Sequence, residues 1–156
     1  SFIRVEADEV TYNLHIMLRF DLERALIAGD LKCRDVPGVW NERMKRDFGL
    51  DVPEDSKGCL QDIHWSMGAV GYFHTYSLGN LYSAQLWEAM GRAMPDREAR
   101  IARGEFAPIL AWLRENVHAH GRLYTPGELC EKATGAPLDS RHLMEHLEKK
   151  VEAVYG

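Results

Sequence analysis

The chain has 156 residues, 46% of them hydrophobic and 28% charged, with a formal net charge of −5. This is the composition of a folded protein with a sizeable core rather than a disordered segment. The acidic balance and the lack of a Lys/Arg cluster argue against a nucleic-acid-binding face, and no apolar run is long enough to span a bilayer.

The predicted elements are almost all helical. From Arg4 to Ile27 the apolar residues Ala7, Val10, Leu14, Met17, Leu18, Leu22, Ala25 and Leu26 recur at helical spacing, and Gly29 supplies a stop. A shorter helix is predicted from about Val39 to Phe48, between Pro37 and Gly49. Residues 49–58 have the composition of a loop. Leu60 to Trp65 is expected to hold one or two helical turns, and no clean period runs through 66–80. The pattern returns from Leu81 to Met94, then in a charged helix over Pro95–Arg103, then over Phe106–Val117 up to Gly121. Thr125-Pro126-Gly127-Glu128 has the form of a capping box with Pro at the first helical position. Asp139 can cap a last helix, with Leu138 and Leu143 spaced as a hydrophobic staple. No strand alternation and no repeat appear. The expected fold class is all-α, with six or seven helices and an irregular Gly/aromatic segment at about 58–80.

Cys33, Cys59 and Cys130 are an odd set at unrelated spacings, which is neither a disulfide framework nor a Cys-x-x-Cys metal site. The N-terminus is charged almost at once and carries no signal-peptide pattern. Reduced thiols and a cytoplasmic location are expected. The chain begins inside a helical pattern without Met, which predicts a piece of a longer protein.

The segment 58–85 is unlike the rest. Gln61, Asp62, His64, Trp65, Tyr72, Phe73, His74, Tyr76 and Asn80 are threaded among glycines, which permit close backbone approach and positive φ at an entropic cost. Two readings stand side by side. The polar aromatics could be half-buried packing with satisfied polar tips, or they could line a pocket with donors and acid/base groups.

Several motifs resemble the M32 (thermostable carboxypeptidase) family. Gly58, Gln61, Asp62, His64 and Trp65 match Gly-x-x-Gln-Asp-x-His-Trp. Gly71, Tyr72, Phe73, Thr75 and Tyr76 match the aromatic motif that follows it, and Leu78-Gly79-Asn80-Leu81 the next. Ile3, Arg4, Ala7 and Asp8 match the upstream Ile/Val-Arg-x-x-Ala-Asp, with Glu9-Val10-Thr11-Tyr12 continuing it. His118, His120-Gly121-Arg122 and Ala133-Thr134-Gly135 resemble the closing region. His74 and Asn13 depart from the pattern, standing where the family usually has Pro.

The resemblance implies the C-terminal portion of a helical, zincin-like metallocarboxypeptidase, with residues 1–156 as a single unit. Such enzymes remove C-terminal residues from peptides with zinc or another divalent metal, held by His-Glu-x-x-His. That motif is absent here, and family order puts it upstream. This chain is therefore expected to bind no metal and to be inactive alone, with a homodimer implied for the full-length enzyme. His142-Leu143-Met144-Glu145-His146 is formally an inverted zinc motif, yet Leu143, Leu147 and Val151 account for the same helix as an amphipathic closing element.

By resemblance, the expected catalytic residues are His64, Tyr72 and Tyr76, through hydrogen bonds to a developing oxyanion or the substrate backbone. Expected substrate-binding residues are Arg4, Gln61 and Arg122. Arg4 leads as the guanidinium for a terminal carboxylate, and its alternative is a helix-surface ion pair with Asp8. Gln61 and Asp62 would also orient His64. A non-catalytic helical scaffold of the same fold is the competing function. A helical ligand-binding module ranks lower, because it would not need the Arg4 motif and the His64 segment together.

Overall fold

The computed structural model describes residues 1–156, which form seven α-helices and four short 3₁₀ turns with no strand. The helices are α1 (Glu9–Ala28), α2 (Val36–Phe48), α3 (His74–Ala93), α4 (Arg97–Ala102), α5 (Ala107–Asn116), α6 (Pro126–Thr134) and α7 (Arg141–Tyr155). The chain divides into two compact units, Ser1–Leu78 and Gly79–Gly156.

In the first unit, α1 starts later than the apolar spacing predicts. Arg4–Glu6 is a 3₁₀ turn, and Asp8 caps α1 by accepting from the backbone N–H groups of Val10 and Thr11 at 3.0 Å. Asp8 is thus spent on the cap, which removes the alternative of an Arg4–Asp8 helix pair. The helix ends where expected, at Gly29, whose φ of 82° is the left-handed cap that glycine adopts without strain.

The buried face of α1 follows its predicted apolar stripe only at Leu18 and Leu22. It consists of His15, Ile16, Leu18, Arg19, Leu22 and Glu23, while Val10 and Met17 are exposed. Leu18 and Leu22 join Val36, Trp40, Met44 and Cys59 in the core, with Trp65 against its edge. Helix α2 begins three residues before the expected Val39, and Pro37 lies in its first turn. There the missing N–H would have had no helical acceptor, so the proline costs nothing.

The 58–73 stretch is a series of turns, and Leu60–Trp65 is not a helix. The irregular backbone ends sooner than expected, because α3 begins at His74 and absorbs residues 74–80.

In the second unit the capping box forms: Glu128 N–H reaches Thr125 Oγ1, and Thr125 N–H donates to Glu128 Oε2 at 2.8 Å. Asp139 Oδ1 accepts from the Arg141 N–H at 2.8 Å, so it caps α7 from just outside the first turn. Gln85 of α3 fastens the α6–α7 connection. Its Nε2 donates to Thr134 Oγ1, Ala136 O and Pro137 O, and its Oε1 accepts from Asp139 N–H.

Trp40→Ala is expected to lower the stability of the first unit by about 3–5 kcal/mol, the range for emptying a buried aromatic site. Thr125→Ala should cost about 1 kcal/mol in the second. Chemical denaturation of the two variants beside the parent chain checks both values.

Candidate active site

The 58–73 turns have little periodic structure of their own, so side chains anchor them. Asp62 is the anchor. Its Oδ1 accepts from Arg4 Nε at 3.1 Å and Nη2 at 2.7 Å, and its Oδ2 accepts from Arg19 Nε at 2.6 Å. One carboxylate therefore ties together the N-terminal turn, the middle of α1 and the glycine-rich segment. Burial works to raise the Asp62 pKa, but hydrogen bonds and charge from the two guanidiniums outweigh it and hold the group below the usual carboxylate range. Burial likewise pulls Arg19 down, to about 10 with Asp62 partly offsetting it, so Arg19 stays a cation at neutral pH.

Arg4 is only 4% exposed. Its backbone N–H donates to Gln61 Oε1 at 2.8 Å and its Nη1 to Tyr12 Oη at 2.8 Å. A guanidinium has five N–H donors; three bonds from its side chain leave two. Burial opposes its charge, yet Asp62 and Tyr12 more than compensate and raise its pKa. Gln61 is spent on backbone: its Nε2 donates to Phe2 O, Lys57 O and Gly58 O.

His64 sits against Phe73, with ring centroids 4.4 Å apart and the rings tilted, and beside Tyr72 and Tyr76. Its Nε2 hydrogen-bonds Tyr76 Oη at 2.9 Å. Its Nδ1 is buried without a hydrogen-bond partner, 3.8 Å from Asp62 Oδ1. Both nitrogens are thus engaged or enclosed. Tyr76 is partly buried, with the Arg4 guanidinium 4.8 Å from its ring centroid. Tyr72 is the open member of the group, 48% exposed.

The structure therefore gathers Arg4, Gln61, His64, Tyr72 and Tyr76 into one cluster around Asp62. Arg122 belongs to the second unit, where it follows the 3₁₀ turn His118–His120, exposed and without an ion pair. Three participants escape notice in the sequence, His15, Arg19 and Glu23, and Tyr12 stands there in a motif without a role. Glu23 Oε1 accepts from Trp65 Nε1 at 2.9 Å and from Gly71 N–H at 3.1 Å. Gly71 has φ of 78°, a conformation that suits glycine and turns its N–H onto that carboxylate. The available signal was the i, i+4 series His15-Arg19-Glu23 beside Leu18 and Leu22, polar groups on a buried helix face.

The chain matches the family described as carboxypeptidase Taq (M32) metallopeptidase over residues 1–151. It belongs to the M32 metallopeptidase family. It is 47% identical to thermostable carboxypeptidase 1 of Pyrococcus furiosus over 150 residues, covering 96% of this chain and 30% of that protein. Against thermostable carboxypeptidase 1 of Thermus thermophilus the identity is 48%, covering 100% and 31%. The structure of the M32 carboxypeptidase from Deinococcus radiodurans R1 superposes with a TM-score of 0.96 at 46% identity, covering 100% of this chain and 32% of that one. The chain thus spans about 30% of the length of these M32 relatives.

M32 peptidases are metal-dependent, but no group of three or more His, Cys, Asp or Glu side chains in this chain is arranged to hold a metal ion. In the His142–His146 pair, His142 Nδ1 is already hydrogen-bonded to Glu88. These residues do not fit a metal site.

Two outcomes follow from the buried charges. Asp62→Asn leaves two buried guanidiniums sharing a neutral amide and should cost about 3–5 kcal/mol of stability, read by urea unfolding. His15 is held neutral: burial, then the Arg19 charge, lowers its pKa from 6.5 to about 4, and its Nε2–H donates to Ser1 O. The unfolded state binds that proton more readily. Stability is therefore full above about pH 6.5 and falls as the pH drops toward about 4, with one proton taken up on unfolding. His15→Gln should flatten that part of the stability–pH curve.

Proposed function

We propose that this chain is one wall of the substrate cleft of a metallocarboxypeptidase that hydrolyses the C-terminal peptide bond of peptides. The observation that carries the proposal is the Tyr72–His64–Tyr76 cluster fixed by the Arg4–Asp62–Arg19 clamp: donors and acceptors held rigidly at the rim of a buried cationic centre. Such preorganised dipoles can stabilise charge that develops in a transition state without reorganising at the moment of reaction.

Tyr72 is the exposed hydroxyl and donates to the developing oxyanion. Tyr76 contacts the substrate backbone, with His64 holding its hydroxyl in place. Arg4 is the first candidate for the substrate carboxylate, through the two N–H groups that Asp62 and Tyr12 leave over, with Gln61 fixing its backbone. Arg122 is the second candidate, as a free and exposed guanidinium. In the longer protein a separate part of the polypeptide supplies the metal, which we take to be zinc, and with it the activated water. That protein acts as a homodimer in the cytoplasm.

The 156-residue chain, supplied with zinc and a blocked dipeptide, should release no C-terminal residue. Release of amino acid by the pure chain would overturn the division of labour between this wall and the metal-bearing part. In the longer protein, Tyr72→Phe should lower kcat by about 10²-fold. Loss of the guanidinium that grips the carboxylate should lower kcat/KM by about 10- to 100-fold. Comparing Arg4→Lys with Arg122→Ala on a peptide acid and on its C-terminal amide identifies that guanidinium, because only its variant loses the preference for the acid.

A further inference from the structure

The hydrogen bond between His64 and Tyr76 can run in two directions, and the direction decides what Tyr76 offers to anything that binds beside it. If His64 carries its proton on Nε2, the imidazole donates to Tyr76 Oη and the phenol keeps its own O–H for a ligand. If His64 carries its proton on Nδ1, then Nε2 is a lone pair, Tyr76 donates inward, and the phenol oxygen keeps only lone pairs.

The surroundings of Nδ1 discriminate between these. Nδ1 is buried and has no hydrogen-bond partner. Its neighbour at ion-pair range is Asp62 Oδ1, 3.8 Å away. That carboxylate is fixed by Arg4 on Oδ1 and Arg19 on Oδ2, so it cannot swing away. An Nδ1 lone pair would face a carboxylate oxygen in a site closed to water. An Nδ1–H faces the same oxygen with the favourable sign. The ring cannot easily rotate to escape, since Phe73 lies 4.4 Å from it and Tyr72 and Tyr76 flank it at 5.9 and 5.7 Å, centroid to centroid.

We infer that Tyr76 donates its hydroxyl proton inward to His64 Nε2 and so acts as a hydrogen-bond acceptor for a substrate N–H, with Asp62 the positioning residue that sets this direction through the His64 tautomer. Identification of the bound group as a peptide N–H rests on the carboxypeptidase reading above; the direction of the hydrogen bond does not. Tyr72 and Tyr76, adjacent phenols with ring centroids 5.5 Å apart, then have opposite duties. Tyr72 is the donor, for an oxygen of the substrate. Tyr76 is the acceptor, for a nitrogen. A cleft that holds an amide needs both.

The tautomer is read directly from long-range ¹H–¹⁵N correlation spectra of the 156-residue chain labelled at histidine, at about pH 8, where imidazoles are neutral. His64→Asn identifies the resonances of His64. The expected result is a proton-bearing Nδ1 and an acceptor-type Nε2. In Tyr76→Phe the Nε2 signal should shift to that of an unbonded acceptor while Nδ1 keeps its proton. A proton on Nε2 in the parent chain would overturn the inference, and that outcome does not depend on the folding of the Tyr76 variant.

In the longer protein the acceptor role has its own signature. Tyr76→Phe should lower kcat/KM about five- to tenfold for a peptide substrate. It should leave the matching ester, which lacks the N–H, unchanged. Equal losses on both would overturn the acceptor role even with the expected tautomer. If the longer protein cleaves no peptide, the carboxypeptidase reading fails while the spectrum still decides the tautomer. If it cleaves peptides and the spectrum shows Nε2–H, this inference alone fails.

Discussion

A single carboxylate shared by two buried guanidiniums is the constraint on which the first unit depends. Asp62 at once touches the N-terminal turn through Arg4, α1 through Arg19, and the 58–73 segment on which it sits. Desolvating three charges is expensive, and apolar side chains of the same volume could stabilise such a core as well or better. What apolar packing would not supply is direction. Paired hydrogen bonds to fixed oxygens set the rotation of Asp62, and Asp62 in turn faces Nδ1 of His64. The turns at 58–73 have no helical ladder to fix them, so a specific polar clamp takes the place of regular structure.

The clamp also leaves a charge imbalance. Two guanidiniums share one carboxylate, and aromatic rings also lie against both. Arg19 lies 4.6 Å from the Trp40 ring centroid, and Arg4 4.8 Å from that of Tyr76. Ring faces stabilise a cation without neutralising it. The Tyr72, His64 and Tyr76 cluster therefore lies against guanidiniums that are held by one shared carboxylate and by ring faces. Glu23, one turn along α1 from Arg19, is a further buried acid. Its Oε1 is occupied by Trp65 and Gly71, so it serves as the brace for the far end of the same loop.

Much of this is legible in the sequence where local chemistry decides the outcome. The left-handed stop at Gly29 and the box at Thr125–Glu128 form as the residue types require. The starts of α1 and α3 differ from the apolar pattern because tertiary contacts set them. The spacing of α1 extends back to Arg4, but Arg4 is drawn out of the helix by Asp62, fifty-eight residues away in sequence. Helix α3 reaches back through Gly79 to His74, because burial of Phe73 and the Tyr76–His64 bond hold its first turn despite a residue that weakens helices. Arg19 and Glu23 are hidden for a related reason. Charged residues at helical spacing ordinarily mark a solvated face, and only the polar partners in a distant loop make this face an interior one. The motif residues Arg4, Gln61, Asp62, His64 and Tyr76 can be matched to a family by type and order, but not sorted into those that touch a substrate and those that hold the others.

The two departures from the family pattern are explained by their positions. His74 opens α3, where proline is favoured only because the N–H has no helical acceptor and φ suits the first turn. A histidine meets the same backbone demand, and its ring packs against Phe20 with centroids 5.6 Å apart. Asn13 lies a full turn inside α1, where a proline would remove a helical hydrogen bond and crowd the preceding turn. The asparagine restores that bond and adds another, since its Oδ1 accepts from Ser77 Oγ at 2.8 Å. That bond runs from α1 to the turn of α3 that carries Tyr76, one residue away. Asn13 thus keeps the helical bond and ties α1 directly to the turn on which the proposed acceptor hydroxyl stands.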